Sequence, residues 1–277
     1  MRICHFNDHR VGVIEGDEVI DLTASIPVGE RQAAIWVAAL APAQRDRLRG
    51  SSPRLKLADV RLSSPVASPG KVVAAPVNYK AHVQEMLANG QAHGHLLTDI
   101  RQAGLFLKAP SSVIGPSGTI EQRFLDRRTD YELELCAVIG TEAKNVRAAD
   151  ALAHVAGYCL GLDITVRGPE DRSFRKSIDT YCVLGPWLTT ASELGDPGQV
   201  DLELRVNGEL RQKANTADMV LSVAELIEFA TSFYSLHPGD VIMTGTPQGV
   251  GPIRPGDVLV ARGAGLGEMT THVVAAP

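Results

Sequence analysis

The chain has 277 residues, 44% hydrophobic and 21% charged, which is enough apolar matter for one large domain, or one with a small companion, and too much for a disordered chain. Its formal charge of −5 scatters lysines and arginines among acids, which argues against a phosphate backbone as partner. Residues 1–10 lack the basic and apolar blocks of a signal peptide, and no apolar run reaches the roughly 18 residues of a membrane span, so a cytoplasmic protein without a membrane partner is expected.

In chain order, residues 2–6, 11–14 and 18–22 read as short strands, the last two joined by the turn Glu15-Gly16-Asp17. A helical run over 32–49 follows, interrupted by Pro42, and the Pro- and Ser-rich stretch 63–70 has linker chemistry. These features predict a small N-terminal α+β domain over 1–65 and a larger domain over 66–277. In the latter, strand signals at 71–75, 104–107, 132–139, 158–166, 187–190, 202–206, 241–244 and 258–262 outnumber helical ones at 79–88, 148–155 and 226–233. Asn207-Gly208 marks a hairpin, and Ser222 with Glu225 forms a capping box before the last helix. The irregular strand order predicts a β-rich α+β fold, not an alternating parallel α/β one.

The stretch Tyr131-Glu132-Leu133-Glu134-Leu135 carries two carboxylates two residues apart in an apolar run. On an extended strand Glu132 and Glu134 project to one side and Leu133 and Leu135 to the other. If that side is buried, two like charges share a small volume, and a raised pKa, a salt bridge or a divalent cation must relieve them; a cation satisfies both at once. If the side is wet, the pattern is ordinary strand alternation. Asp163 is the single acid of a second apolar run, 157–166, and is a third candidate ligand, with a salt bridge to Arg167 or a turn contact as the alternative. Three carboxylates suit Mg²⁺ or Mn²⁺ better than zinc. Cys4, Cys136, Cys159 and Cys182 contain no Cys-x-x-Cys pair and read as small buried hydrophobes.

Six collinear blocks over most of 71–277 carry a family resemblance. They are Asn78-Tyr79-Lys80-Ala81-His82 after an opening strand, Phe106-Leu107-Lys108, Asp130-Tyr131-Glu132-Leu133-Glu134-Leu135, Asp163 with Arg167, Lys176-Ser177-Ile178-Asp179-Thr180 with Leu184-Gly185-Pro186, and Thr244-Gly245-Thr246-Pro247-Gln248-Gly249-Val250-Gly251. Together they resemble the fumarylacetoacetate hydrolase family. The resemblance implies a mixed β-sandwich roll as catalytic domain, a homodimer, and one Mg²⁺ or Mn²⁺ per subunit held by Glu132, Glu134 and Asp163. It further implies that Tyr79, Arg167 and Thr246 bind substrate, and that His82, Glu85 and Lys176 are catalytic.

Such a site suits a small oxo acid. A 2-oxo acid offers a carboxylate and a keto oxygen to one hard cation, which stabilises an enolate leaving group. Lys176 and Arg167 neutralise negative charge, and Thr246 holds a carboxylate; a surface ion pair and plain turn chemistry are the other readings open to them. His82 and Glu85, three apart, share a helix face, where Glu85 can orient His82 as a base for water. The expected reaction is hydrolysis of the C–C bond of an acylpyruvate or fumarylpyruvate-like dioxo acid. Decarboxylation of an oxaloacetate-like acid and isomerisation of a muconate-derived diacid use the same machinery, and a binder without turnover is the non-enzymatic alternative. Two departures from the family pattern, Leu162 before Asp163 and Gly168 after Arg167, predict different support of Asp163. The long segment 87–103 predicts an enlarged lid in which His93 and His95 face solvent or substrate.

Overall fold

One mixed sheet of eleven strands carries Glu134 and Asp163 on two central members in the computed structural model, which describes residues 1–7, 9–88 and 99–277. In spatial order ten of its strands are Arg54–Lys56, Glu18–Asp21, Arg10–Glu15, Arg2–Phe6, Cys182–Thr190, Val155–Asp163, Leu133–Ile139, Val241–Met243, Val72–Ala74 and Phe106–Lys108, and Val113–Ile114 pairs alongside Cys182–Thr190. The first 65 residues therefore add their strands to the edge of this sheet, with Arg2 and Ile3 opposite Thr189 and Leu188. A five-stranded sheet packs against it, in the order Glu209–Asn215, Asp201–Val206, Val258–Gly263, Gly267–Ala275 and Thr119–Gln122. A third, three-stranded sheet joins Thr165–Val166, Thr129–Tyr131 and Gly251–Pro252.

Strand parity divides the interior. Leu133, Leu135, Ala137 and Ile139 face a core shared with Leu204, Leu259, Ala261 and the helix residues Leu226 and Ile227. Cys136 and Val138 face the opposite core with Met243, Leu184 and the N-terminal residues Ile3, Val13 and Val37. Apolar burial on both faces explains why this run is nearly continuous in hydrophobic residues. It also means that Glu132 and Glu134 do not lie on a wet edge: they are 5% and 1% exposed.

Several local expectations match the structure. Pro42 opens a second helix, Pro42–Ser51, after Ala33–Ala39, because proline fits the first helical turn and ends what precedes it. Asn207 and Gly208 both take positive φ in the predicted hairpin turn, and Ser222 and Glu225 cap Val223–Thr231 reciprocally. All four cysteines are buried free thiols. Other boundaries differ. The expected helix over 148–155 is one turn, Ala148–Ala151, followed by a short 3₁₀ turn, since Val155 already starts the central strand. The expected strand over 104–107 is shifted to Phe106–Lys108 behind a helical turn, Ile100–Ala103, capped by Asp99. His93 and His95 lie outside the described residues.

His5, on the Arg2–Phe6 strand, is buried, and its Nε2 has no partner among the described residues. Burial, aided by His9, lowers its pKa from 6.5 to about 4. A histidine whose folded pKa is depressed gives stability that is present above the unfolded value and lost as pH falls through the folded one. Unfolding free energy should therefore drop by about 3 kcal/mol between about pH 6.5 and about pH 4 through this residue. Chemical denaturation of His5→Leu across that range should show this component removed.

Candidate metal centre and active site

The backbone bond from Asp163 N–H to Glu132 C=O, 2.8 Å, sets these two residues opposite each other on adjacent strands. Glu134 lies opposite Gly161, one step further along the same face. Gly161 is required there: a Cβ would come within 2.4 Å of Cys136 Sγ and 2.9 Å of Met243 Cε. The ligand oxygens of Glu132, Glu134 and Asp163 all lie within 4.8 Å of one another, and all three residues are buried. This follows from register alone, since facing and diagonal positions of antiparallel strands share one small volume.

Cations from three further elements meet these acids. Lys176, the last residue of the short helix Arg172–Lys176, donates from Nζ to Glu132 Oε2 at 2.7 Å, Asp163 Oδ2 at 2.6 Å and Thr165 Oγ1 at 2.7 Å. Lys108 Nζ, fully buried, donates to Asp163 Oδ1 at 2.5 Å. Arg167 donates to Asp130 Oδ2 and Glu132 Oε1, each at 2.7 Å. The expected alternative of a pair between Asp163 and Arg167 is replaced by Lys108 and Lys176 on Asp163, while Arg167 serves the strand acids. Leu162 faces the apolar core, so it gives Asp163 no polar support. At Gly168 a Cβ would meet the Arg127 guanidinium at 2.0 Å, which leaves that position to the Arg127–Glu170 pair.

Glu134 is treated differently from its neighbours. Its Oε2 accepts the Gly245 N–H at 2.7 Å, a neutral donor. Burial, and then the Asp163 charge, push its pKa well above the ordinary carboxylate range, with Lys176 opposing. Burial also opposes ionisation of Glu132, but Lys176, Arg167 and His82 overcome it and hold that carboxyl well below the usual range. Burial disfavours charge on Lys176 too, yet Asp163 and Glu132 keep its pKa above the ordinary value. A buried all-oxygen set in which one carboxylate has no direct cationic partner among the described residues fits a hard divalent ion such as Mg²⁺ or Mn²⁺. The hydroxyl of Tyr79, whose pKa burial and then the Glu134 charge raise, has no partner among the described residues and is a candidate substrate contact.

His82 and Glu85 lie on the helix Lys80–Ala88, and His82 Nδ1 is 3.3 Å from Glu85 Oε2. Glu85 also accepts the Gly249 N–H at 3.0 and 3.1 Å, which ties the helix to the turn that carries Thr246. The His82 hydrogen bond, with the Gly249 N–H, lowers the Glu85 pKa. Asn78, just before this helix, bonds Leu221 C=O, Leu221 N–H and Thr244 C=O, and so fixes the start of the segment. Gly245 takes φ +93, which favours glycine, and a Cβ there would also strike Asn78 Cβ at 2.8 Å.

The structure thus gathers Glu132, Asp163, Lys176 and Arg167 in one ion-pair cluster with Glu134 beside it, and links Glu85 and Glu134 to the turn containing Thr246. Three contributors had no role assigned from sequence. Lys108 and Asp130 stood inside recognised motifs; a lone lysine in an apolar strand was the available signal for the first. Gln212 gave none, because it sits between Arg211 and Lys213 on a strand that otherwise looks exposed.

A buried carboxylate cluster between strands of a β-roll, beside a His–Glu pair, defines a class of metal-dependent oxo-acid enzyme. The chain belongs to the fumarylacetoacetate hydrolase family: residues 71–274 match the family's C-terminal domain, described as fumarylacetoacetate (FAA) hydrolase C-terminal. It is 50% identical to maleylpyruvate hydrolase of Aquipseudomonas alcaligenes, over 99% of each chain. It is 32% identical to the mitochondrial oxaloacetate tautomerase Fahd2a of Rattus norvegicus, over 94% of this chain and 83% of that one. The crystal structure of maleylpyruvate hydrolase from Sphingobium sp. SYK-6, in complex with manganese(II) and pyruvate, superposes with a TM-score of 0.85 at 36% identity, covering 100% of both chains.

A carboxyl group whose folded pKa is raised contributes stability below its unfolded pKa and loses it as pH rises through the folded value. Metal-free Glu134→Gln should therefore be more stable than the parent by a margin that grows as pH rises above the ordinary carboxylate range. Thermal unfolding in EDTA reads this, and calorimetry with Mn²⁺ should show affinity for the ion reduced by about 100-fold or more.

Proposed function

We propose that this protein is a divalent-metal-dependent hydrolase that cleaves the C–C bond of an acylpyruvate, with a maleylpyruvate-like dioxo acid as substrate class. The observation that carries the reading is the cluster of Glu132, Glu134 and Asp163 beside the His82–Glu85 pair. The likeness to two maleylpyruvate hydrolases over the full chain supports it. Every residue of the site falls within the matched 71–274.

Glu132, Glu134 and Asp163 would hold one Mg²⁺ or Mn²⁺, which supplies Lewis-acid polarisation of the 2-oxo acid and stabilises the negative charge of C–C cleavage. Lys176 pairs with Glu132 and Asp163 and adds positive charge beside the reacting oxygens. Thr246 and Tyr79 bring hydroxyls for the substrate carboxylate and acyl half, and Arg167 holds Glu132 in place. Glu85 accepts the Nδ1 proton of His82, which leaves Nε2 as the basic nitrogen. His82 Nε2 takes a proton from water, the resulting hydroxide attacks the acyl carbonyl, and the C–C bond breaks with its electron pair on the pyruvyl side. A proton returned to that carbon completes pyruvate and releases the acid. We place this activity in the cytoplasm and in a homodimer, the latter as the family resemblance implies; light scattering of the purified protein at micromolar concentration tests the dimer, and a monomer overturns it.

An NMR time course with Mn²⁺ should show maleylpyruvate or acetylpyruvate converted to pyruvate and the matching acid, and EDTA should abolish it. Tautomerisation or decarboxylation of oxaloacetate without hydrolysis of either acylpyruvate overturns the reading. His82→Ala should lower kcat by about 10²- to 10⁴-fold with Mn²⁺ affinity unchanged; full turnover in that variant removes His82 from water activation.

A further inference from the structure

Gln212 is 1% exposed on a strand, Glu209–Asn215, whose neighbouring positions 211 and 213 face solvent. The hairpin register explains its inward turn. Leu204 faces Gln212 and Arg205 faces Leu210, so Arg211 is an extra residue, a bulge that re-aims the next side chain. The bulge packs on the Gly-rich turn, where a Cβ on Gly249 would lie 2.0 Å from Arg211 O.

All the hydrogen-bonding capacity of the Gln212 amide but one oxygen lone pair is committed. Its Oε1 accepts the Leu133 N–H at 2.9 Å, and its Nε2 donates to Pro247 C=O at 2.9 Å and Thr246 Oγ1 at 2.8 Å. The orientation is unambiguous, since a backbone N–H only donates and a carbonyl only accepts. Thr246 Oγ1 therefore receives a hydrogen, and its own proton must point elsewhere. Among the described residues it finds no acceptor. Leu133 is the residue between the carboxylates Glu132 and Glu134, so one side chain spans the acid-bearing strand and the hydroxyl-bearing turn.

Resting on the hydrolase reading above, we propose that Gln212 is a positioning residue that fixes the Thr246 hydroxyl as a donor toward the carboxylate of the pyruvyl group. By accepting from Leu133 N–H it also sets the distance between that donor and the carboxylate cluster. Gln212 acts through Thr246 and touches neither substrate nor metal ligands.

The test is a double-mutant cycle of Gln212→Met and Thr246→Val on Mn²⁺-loaded protein, read by calorimetric binding of pyruvate. Each single variant should weaken pyruvate by about tenfold, the usual loss of one hydrogen bond to a charged group. The double variant should be no weaker than the poorer single, because both remove the same donor. Mn²⁺ affinity should stay within about twofold, and with an acylpyruvate the loss should fall on KM and not on kcat. Additive losses overturn the proposal, as does a Gln212→Met effect confined to thermal stability or Mn²⁺ binding. If Gln212→Met fails to fold, Gln212→Glu, which keeps the acceptor for Leu133 and loses the donor for Thr246, carries the same cycle. Pyruvate binding needs no turnover: an intact cycle in a protein that hydrolyses no acylpyruvate sinks the hydrolase reading alone, whereas wild-type protein that binds no pyruvate sinks both.

Discussion

Three carboxylates buried across two neighbouring strands are the constraint from which the surrounding structure follows. Like charges in a low-dielectric interior repel strongly, and each also loses its hydration, so cations have to be brought to them from outside the two strands. Lys108 comes from the far side of the sheet, Lys176 from the end of a short helix and Arg167 from beyond the second strand. Each cation reaches its acid at hydrogen-bonding distance, which is the condition under which buried ion pairs survive desolvation. The segments that carry them, 106–108 and 165–176, are thereby pinned around the mouth of the roll.

The cluster is balanced unevenly, and the imbalance has chemical content. Among the described residues Glu132 and Asp163 bond cationic donors, whereas Glu134 accepts a backbone N–H and pairs with no cation, so burial and the Asp163 charge favour its protonated form. A divalent ion reverses that preference by replacing the proton with two positive charges. The same acids would give such an ion an oxygen-only seat, while Lys108, Lys176 and Arg167 would leave the site positive enough to receive an anionic oxo acid.

A second network joins the site's halves. Glu85 binds the turn at Gly249 N–H, Gly245 N–H binds Glu134, and Gln212 binds both Pro247 C=O and Leu133 N–H. The helix bearing His82, the turn bearing Thr246 and the strand bearing the acids are thus connected by hydrogen bonds to backbone groups. Such bonds set position more tightly than contacts between flexible side chains, which suits a reaction sensitive to small displacements.

The acids and the His–Glu pair were legible in the sequence because an acid in an apolar run is anomalous wherever it lies, and because local spacing fixes which face a residue occupies. Capping at Ser222, the hairpin at Asn207 and the break at Pro42 were legible for the same reason: the chemistry of each is settled within four residues. Spacing could not say whether Glu132 and Glu134 were wet or buried, nor which cation would reach which acid, because those depend on strand register between segments tens of residues apart. Gln212 marks the limit of sequence reading here. Flanked by two charged residues, it reads as part of a solvated edge, and only a one-residue bulge, set by pairing with a neighbouring strand, turns it into the site.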